Sequence, residues 1–456
     1  MRFLLFCKLV YKLVLVGDDT KPLMVGRKAV LRNIFVIALM CVSSSVVADS
    51  SIKGVNAEAA VDAELGLRLP DGFKATVFAD QVGRVRHIVA ADNGWLYGAL
   101  ARPKDGMGAI ALKDSDGDGV AEETIYFAKG LKGTGIGIYD GHLYFGTDVS
   151  ILRWKLPESG EPKTGPELIA HGFAEKRQHA AKTFAFDGKG GLYVNVGAPS
   201  NACMEKMRTK GSKGMEPCPI LEEFGGIWKF DASKTMQHQQ KEGVRYATGI
   251  RNAVALDWNA RADSLYVVPH GRDQLAEFFP EYYSVEDSAE LPAEEFHKVA
   301  EGADMGWPYS YFDHRKGKRM MMPEYGGDGE KLSDRGQMPL VGFPGHWAPN
   351  DLLFLKSDAL PEGYHLGAFI GFHGSWNRAP MPQQGYRVVY VPMDAAGNVT
   401  GDWITFADGF AGADVIKSPR DAKHRPMGLA EDAAGALYIS SLMSGGRIWK
   451  ITYEGN

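Results

Sequence analysis

The chain has 456 residues, 45% hydrophobic and 23% charged, so it is long enough to bury a substantial core and does not have the composition of a disordered protein. Its formal net charge of -5 is spread without long runs of like charge, and we therefore predict no nucleic-acid partner. The 55 glycines and 11% aromatic residues favour twisted strands joined by tight turns over a helical bundle.

The first 48 residues have the layout of an export leader. Arg27, Lys28 and Arg32 precede an apolar run from Ile34 to Val42, and small residues continue up to Ala48, where cleavage is expected. The apolar run is shorter than a membrane span, so we expect no stable span after cleavage and a periplasmic or secreted protein. A retained membrane anchor is the alternative.

Two cysteines, Cys203 and Cys218, follow the leader. An even pair in an oxidising compartment favours a disulfide, with two separate buried thiols as the alternative.

An acidic segment contains Asp114, Asp116 and Asp118 at alternate positions, with Gly119 after them. This is the front half of a calcium loop, but Ile125 stands where such a loop needs a glutamate. We predict an Asx-type hairpin turn between blades, with a peripheral calcium ion as the alternative.

A short unit recurs along the chain: a turn rich in Gly, Asp or Asn, followed by a strand that opens on Leu-Tyr or an equivalent pair. Its six copies are Trp95-Leu96-Tyr97, Leu143-Tyr144, Leu192-Tyr193, Leu265-Tyr266, Ala368-Phe369 and Leu437-Tyr438.

Further apolar strands flank most copies, with examples before them at Ile88–Ala91 and Asn252–Leu256 and after them at Arg447–Ile451. Repeated antiparallel strands must bury their faces against neighbouring sheets, and radial repetition achieves this most simply. We predict an all-β fold, a six-bladed β-propeller of four-stranded antiparallel sheets, over residues 69–456, with an N-terminal extension at 49–68. A two-sheet sandwich is the alternative.

Polar loops follow three of the Leu-Tyr strands, at Val196–Asn201, Pro269–Asp273 and Phe372–Arg378. Basic or imidazole side chains also stand just before first strands, at Gln178-His179 and near Arg251 and Arg425. Loops at equivalent blade positions meet at one end of a propeller, so these segments are the candidate site.

Arg251, Arg378 and Arg425 would form a cluster that needs an anion, which favours a polycarboxylate or phosphate ligand. The alternative is that each arginine is solvated or paired with a local aspartate. His179 is a candidate general base because imidazole titrates near neutral pH.

Five motifs taken together resemble the PQQ (pyrroloquinoline quinone)-dependent sugar dehydrogenases, more closely their L-sorbosone dehydrogenase branch than the soluble glucose dehydrogenases. The motifs are Ala247-Thr248-Gly249-Ile250-Arg251-Asn252, His270-Gly271-Arg272-Asp273, Met305-Gly306-Trp307-Pro308-Tyr309, Phe372-His373-Gly374-Ser375-Trp376-Asn377-Arg378 and Arg425-Pro426-Met427-Gly428. The resemblance extends from about Leu69 to Tyr453, and it implies the same six-bladed propeller.

The resemblance implies PQQ and calcium as cofactors. Arg251 and Asn252 would contact the quinone, Arg425 would pair with one of its carboxylates, and Arg378 would supply a further cation. The backbone carbonyls of Gly271 and Arg272 would bind the calcium ion, which prefers oxygen ligands.

The same resemblance makes His179 the base. It would take a proton from a substrate hydroxyl or hydrated aldehyde while hydride passes to the quinone C5. Gln178 stands where the glucose enzymes carry an acidic residue, which argues against glucose-like handling of the substrate.

The implied substrate is a sugar or sugar aldehyde, and no CxxCH haem motif is present, so electrons must leave to a separate acceptor, a cytochrome or quinone. A calcium-dependent lactonase-type hydrolase and a non-catalytic propeller that binds protein or glycan are the competing hypotheses. The first would need clustered acidic ligands in the channel, and the second would lack the arginine set.

Overall fold

The computed structural model describes residues 52–56, 61–62, 64–443 and 445–455. The predicted leader and its cleavage site after Ala48 lie outside these residues. Within them, no helix is both long enough and apolar enough to cross a membrane.

The first part of the described chain, up to His171, forms one closing strand and two complete blades. In chain order the strands are β1 (Phe73–Asp80); β2 (Val85–Ala90), β3 (Trp95–Lys104), β4 (Met107–Lys113) and β5 (Glu123–Lys129) of blade 1; and β6 (Gly133–Tyr139), β7 (His142–Thr147), β8 (Ile151–Lys155) and β9 (Glu167–His171) of blade 2.

Blades 3 and 4 carry the additional short strands. Blade 3 and the segment within it comprise β10 (Phe184–Phe186), β11 (Gly191–Val196), β12 (Gly226–Asp231), β13 (Gln237–His238), which pairs with β9, and β14 (Val244–Thr248). Blade 4 and its insertion comprise β15 (Ala255–Asn259), β16 (Ser264–Val268), β17 (Glu294–Val299), β18 (Ala303–Asp304), which pairs with β14, the hairpin β19 (Ser310–Asp313) and β20 (Lys318–Met321), and β21 (Val341–Phe343).

The last two blades complete the fold. Blade 5 contains β22 (Pro349–Phe354), β23 (Ala368–Phe372), β24 (Arg387–Val391) and β25 (Ile404–Ala407), and blade 6 contains β26 (Pro426–Glu431), β27 (Leu437–Ser441), β28 (Arg447–Tyr453) and β1.

The blades form a closed ring. The innermost strands β2, β6, β10, β15, β22 and β26 contact one another in turn, and β26 contacts β2 again. β1 pairs antiparallel with β28, from Phe73 opposite Tyr453 to Asp80 opposite Arg447, so the two ends of the domain share one blade. The predicted six-bladed propeller is confirmed, and the sandwich alternative is wrong.

The recurring Leu-Tyr pair opens the second strand of a blade or lies close to its start, and the tyrosine has an inter-blade role. In three blades its buried hydroxyl donates to a backbone carbonyl just beyond the third strand of the next blade, which satisfies a polar group inside an apolar contact. The pairs are Tyr97 with Pro157 at 3.2 Å, Tyr144 with Ala232 at 2.9 Å and Tyr266 with Gly397 at 2.9 Å.

The apolar cores lie between neighbouring blades. Phe369 and Tyr390 of blade 5 pack in one cluster with Leu437 and Trp449 of blade 6, and the other interfaces repeat this pattern. Each blade therefore stabilises two neighbours, and the rigid ring holds the loops at its end in place.

Short helices lie in the connections: α1 (Leu275–Phe278), α2 (Val285–Glu290) and 3-10 turns at Pro219–Glu222, Pro323–Tyr325 and Glu362–Tyr364. A capping box between Ser284 and Asp287 begins α2. Cys203 and Cys218 form a disulfide, as the first of the two sequence-based alternatives predicted.

Two local predictions differ from the structure. The strand expected over Asn252–Leu256 begins only at Ala255, which leaves Asn252 in a loop. The acidic turn forms as predicted, with Asp114 accepting from the amides of Gly117 and Gly119, but it joins β4 to β5 within blade 1 and does not connect two blades. Glu122 is the fourth carboxylate beside Asp114, Asp116 and Asp118.

Candidate active site

A cavity of about 400 Å³ lies where several blades meet. Its lining residues stand at the starts of innermost strands or at the ends of second strands, and antiparallel pairing brings these positions to the same end of the ring. The basic and imidazole side chains on its wall are Arg86, Lys132, Arg177, His179, His270 and His373. Asp148 is the single acidic side chain among the described residues that line it. The cavity therefore favours an anion.

His179 lies on this cavity, as the sequence predicts. Its Nδ1 is 2.5 Å from the carbonyl oxygen of Ala198, so Nδ1 carries the proton and Nε2 keeps its lone pair. Burial, together with the positive charge of Arg251, lowers the pKa of His179 to about 3. The side chain is therefore a neutral imidazole with its acceptor nitrogen free of hydrogen bonds to described residues.

The backbone around His179 requires a glycine on the facing loop. A Cβ at Gly197 would lie 2.7 Å from the Cβ of His179 and 2.6 Å from the Oδ1 of Asn252. Only a residue without a side chain allows the two loops to approach this closely.

Asn252 also lines the cavity, and a second amide holds it. Its Oδ1 accepts from the Nδ2 of Asn195 at 3.1 Å, while the Oδ1 of Asn195 accepts from the amide of Ala253. Both asparagines are buried. Asn195 thus fixes the orientation of the predicted quinone contact.

Arg251 is buried and already paired. Its guanidinium lies 2.8 Å from Asp273, 2.7 Å from the carbonyl of Gly271 and 3.1 Å from the amide oxygen of Asn201. Although burial opposes ionisation of Asp273, the charge of Arg251 brings the pKa of that carboxyl to about 2. Arg251 thus matches the alternative, an arginine paired with an aspartate of the same chain, and its predicted contact with the quinone stays a prediction.

Arg378 is also neutralised within the chain. It is buried, lies 2.5 Å from Glu290, and donates to the carbonyls of Ala289 and Gly345. It does not line the cavity. In this arrangement the guanidinium joins its loop to the end of α2, and the predicted cofactor contact of Arg378 stays a prediction.

Arg425 has no carboxylate partner among the described residues. It donates to the carbonyls of His373 and Gly374 at 2.8 and 2.5 Å, and burial lowers its pKa. His373, which does line the cavity, has its pKa lowered by burial and by Arg425.

Arg86 of β2 is one of three cavity cations that the sequence analysis did not identify, together with Lys132 and Arg177. It lines the cavity and donates to the hydroxyl of Thr134 at 2.8 Å, and its buried Nε has no partner. Burial lowers its pKa to about 10, since Asp148 compensates only in part and Arg425 adds positive charge. Arg86 stands just before the predicted strand Ile88–Ala91, as His179, Arg251 and Arg425 stand just before the first strands of other blades. The same positional pattern could therefore have identified it.

The predicted metal position lies beside the guanidinium of Arg251. The carbonyl oxygen of Gly271 accepts from Arg251, and the side chain of Arg272 is fully buried in an ion pair with Glu324 at 2.9 Å. Calcium accepts backbone carbonyl oxygens as ligands, but the carbonyl of Gly271 already accepts a hydrogen bond from a guanidinium. Calcium binding by the carbonyls of Gly271 and Arg272 therefore stays a prediction.

The cavity does fit a planar polycarboxylate such as PQQ. Arg86 offers an unpartnered buried Nε, and Arg425 lacks a counter-charge beside His373. Burying cations without acids disfavours the empty protein, and a carboxylate ligand would remove that penalty.

The fold and the site define a six-bladed β-propeller with a cation-lined cavity at one end of its ring. The chain belongs to the TrAA12-like family, whose model matches residues 67–454. This confirms the resemblance to PQQ-dependent sugar dehydrogenases at the level of the family.

Individual relatives found by sequence agree with this family. A segment of 121 residues is 32% identical to the PQQ-dependent pyranose dehydrogenase of Coprinopsis cinerea and covers 24% of this chain and 15% of that protein. The chain matches less than half the length of the relatives found by sequence.

Solved structures share the fold. The holo PQQ domain of the Coprinopsis cinerea pyranose dehydrogenase matches with a TM-score of 0.67 at 19% identity, covering 85% of this chain and 97% of that domain. The calcium structure of the family AA12 enzyme of Trichoderma reesei matches with a TM-score of 0.68 at 17% identity, covering 84% and 96%.

Proposed function

We propose that this protein is a PQQ-dependent dehydrogenase that oxidises a sugar or sugar aldehyde, of the L-sorbosone or aldose type, and passes the electrons to a separate acceptor, a cytochrome or quinone. The observation that carries the proposal is the cavity of about 400 Å³ with one acid among six basic or imidazole side chains and His179 on its wall. Family membership supports the same reaction class.

Four side chains would hold the cofactor. Arg86 and His373, on the cavity wall, would face its carboxylates, and Asn252 would hydrogen-bond to the quinone. Arg425 is not on that wall, but it donates to the carbonyl of His373 and would add its positive charge from there. When bound, PQQ would supply the hydride acceptor. We assign no step to calcium.

His179 would act as the base. The bond from its Nδ1 to Ala198 leaves Nε2 to accept the proton of a substrate hydroxyl or a hydrated aldehyde. A bound polyanion would raise the pKa of the imidazole from about 3 by adding negative charge nearby, which makes it a stronger base only when the cofactor is present.

The competing functions have less support. A calcium-dependent lactonase would need several acidic ligands at the cavity, and the described lining contains only Asp148. A non-catalytic propeller would have no use for unpaired buried cations, which destabilise the protein without a ligand.

We also propose that the protein is exported to the periplasm or secreted. The layout of residues 1–48 supports this, as does a disulfide of the kind that persists in oxidising compartments. Mass spectrometry of the mature N-terminus, beginning at Asp49, tests the cleavage.

The function is tested by titrating the apo-protein with PQQ, with and without added calcium, and then measuring dye reduction with aldoses and sugar aldehydes. His179→Gln should bind PQQ within threefold of the wild type and lose roughly 100- to 10,000-fold in kcat, the usual contribution of a general base. His142→Gln is the control, because this residue lies on blade 2 at the opposite end of β7. Absence of PQQ binding at micromolar concentration would refute the proposal.

A further inference from the structure

The single acidic side chain on the described cavity wall is unexplained by the proposed cofactor. Asp148 follows β7, and its Oδ2 lies 2.8 Å from the Nζ of Lys132, which precedes β6. Its Oδ1 accepts no hydrogen bond from a described residue, and the side chain remains 30% exposed.

A polycarboxylate cofactor gains nothing from Asp148, because like charges repel. Burial lowers the pKa of the nearby cations Arg86, Lys176 and Lys182, and the negative charge of Asp148 offsets part of that lowering, so its field extends over the site. An acid at this place weakens the attraction for an anionic ligand.

Stability does not explain the pair either. Lys132 is 64% exposed, and exposed ion pairs contribute little to folding. What the pair does provide is a carboxylate oxygen that can accept hydrogen bonds from hydroxyls and an ammonium group that can donate to them.

We propose that Asp148 and Lys132 form the sugar subsite of this cavity and select neutral sugars over sugars that carry a carboxylate. The inference rests on the proposed function. Asp148 accepts from sugar hydroxyls and repels an acidic sugar, while Lys132 donates to the ring or hydroxyl oxygens. Thr134, which accepts from Arg86, lies on the same wall, so the subsite adjoins the cofactor end of the cavity.

The experiment measures sugar binding separately from turnover. Protein loaded with PQQ and reduced beforehand is titrated by calorimetry with glucose, galactose and mannose and with the uronate of each. The wild type should bind at least one neutral sugar and bind its uronate more weakly.

Asp148→Asn should weaken binding of the neutral sugar by about 10-fold, the effect of losing a charged hydrogen bond. The variant's preference for the neutral sugar over its uronate should become smaller or reverse. PQQ affinity should stay the same or increase, because a negative charge is removed. Asp140→Asn is the matched control, since this exposed residue makes the same charge change at the opposite end of β7.

Three results would overturn the inference: no neutral sugar binds to the wild type, uronates bind as tightly as neutral sugars, or Asp148→Asn binds both like the wild type. Failure of PQQ to bind would instead refute the proposed function. In that case the same calorimetry on the apo-protein still tests the subsite, and loss of neutral-sugar binding in Asp148→Asn alone would support it.

Discussion

Arginine side chains in this protein divide into those that the chain neutralises and those that it leaves for a ligand. Arg251 and Arg378 each lie within 3 Å of a carboxylate, whereas Arg86 and Arg425 have none among the described residues. Burying a charge without a partner is unfavourable, and such sites are typical of ligand binding.

We therefore predict opposite effects on stability and on PQQ affinity for the same substitution, arginine to glutamine, at Arg86 and at Arg378. Arg86→Gln should weaken PQQ binding by at least 10-fold, because it removes a charge that faces the ligand, and should leave the apo-protein as stable or more stable. Urea unfolding and PQQ titration measure both quantities.

Arg378→Gln is the contrasting variant. It should lower the free energy of unfolding by about 3 kcal/mol, because Glu290 and two carbonyls lose their donor, and leave the PQQ affinity of the folded protein within threefold. If Arg378→Gln instead weakens PQQ binding without lowering the free energy of unfolding, Arg378 belongs to the cofactor site. The division between neutralised and available arginines would then be wrong.

At the scale of elements, the segment between β11 and β12 is held by a disulfide and by bonds to the β18–β19 region. Cys203 is bonded to Cys218, whose amide donates to the hydroxyl of Tyr309, and the indole of Trp307 donates to the carbonyl of Asn201. Asn201 in turn accepts from Arg251. The segment between β11 and β12 therefore holds Arg251 in position and is not a loose surface loop.

Replacing both cysteines by serine should lower the free energy of unfolding by about 3 kcal/mol, because the closed loop no longer restricts the unfolded chain. Urea unfolding with and without reductant measures this: the wild type should shift on reduction, and the double variant should not. An equal shift in both proteins would contradict the assignment.

At the scale of the whole molecule, ring closure depends on one strand pair. β28 is the partner of β1, and its Ile448, Trp449 and Ile451 are fully buried against blades 5, 6 and 1. With this strand pair in place, every apolar core between blades is covered by a blade on each side. The loops that line the cavity then keep their spacing.

A chain that ends after Gly446 should not fold cooperatively. Three buried side chains at about 2 kcal/mol each contribute about 6 kcal/mol, which is comparable to the lower end of a typical domain stability of about 5–15 kcal/mol. Thermal unfolding followed by near-ultraviolet circular dichroism should show no transition, whereas a chain ending after Tyr453 should melt like the full chain. A sharp transition in the shorter chain would contradict this prediction, because it would show that five complete blades and an incomplete sixth are enough for cooperative folding.

The fold was open to prediction from the sequence because its signal is local and repeated. Short apolar strands and the Leu-Tyr pairs mark each blade within a few residues, and the tyrosine hydroxyl reaches the neighbouring blade at Tyr97, Tyr144 and Tyr266. The position of His179 before a first strand could be recognised in the same way, and so could that of Arg86.

The charge state of the site was decided only by tertiary structure. Arg251 meets Asp273, 22 residues away, and Arg378 meets Glu290, 88 residues away, while Asp148 reaches the cavity from a turn with no motif of its own. A motif specifies which side chain is present, but whether its charge is free depends on neighbours that the folded ring brings together. The sequence by itself therefore determined the propeller and the end at which its site lies, and the packing of distant loops determined which cations remain available to a ligand.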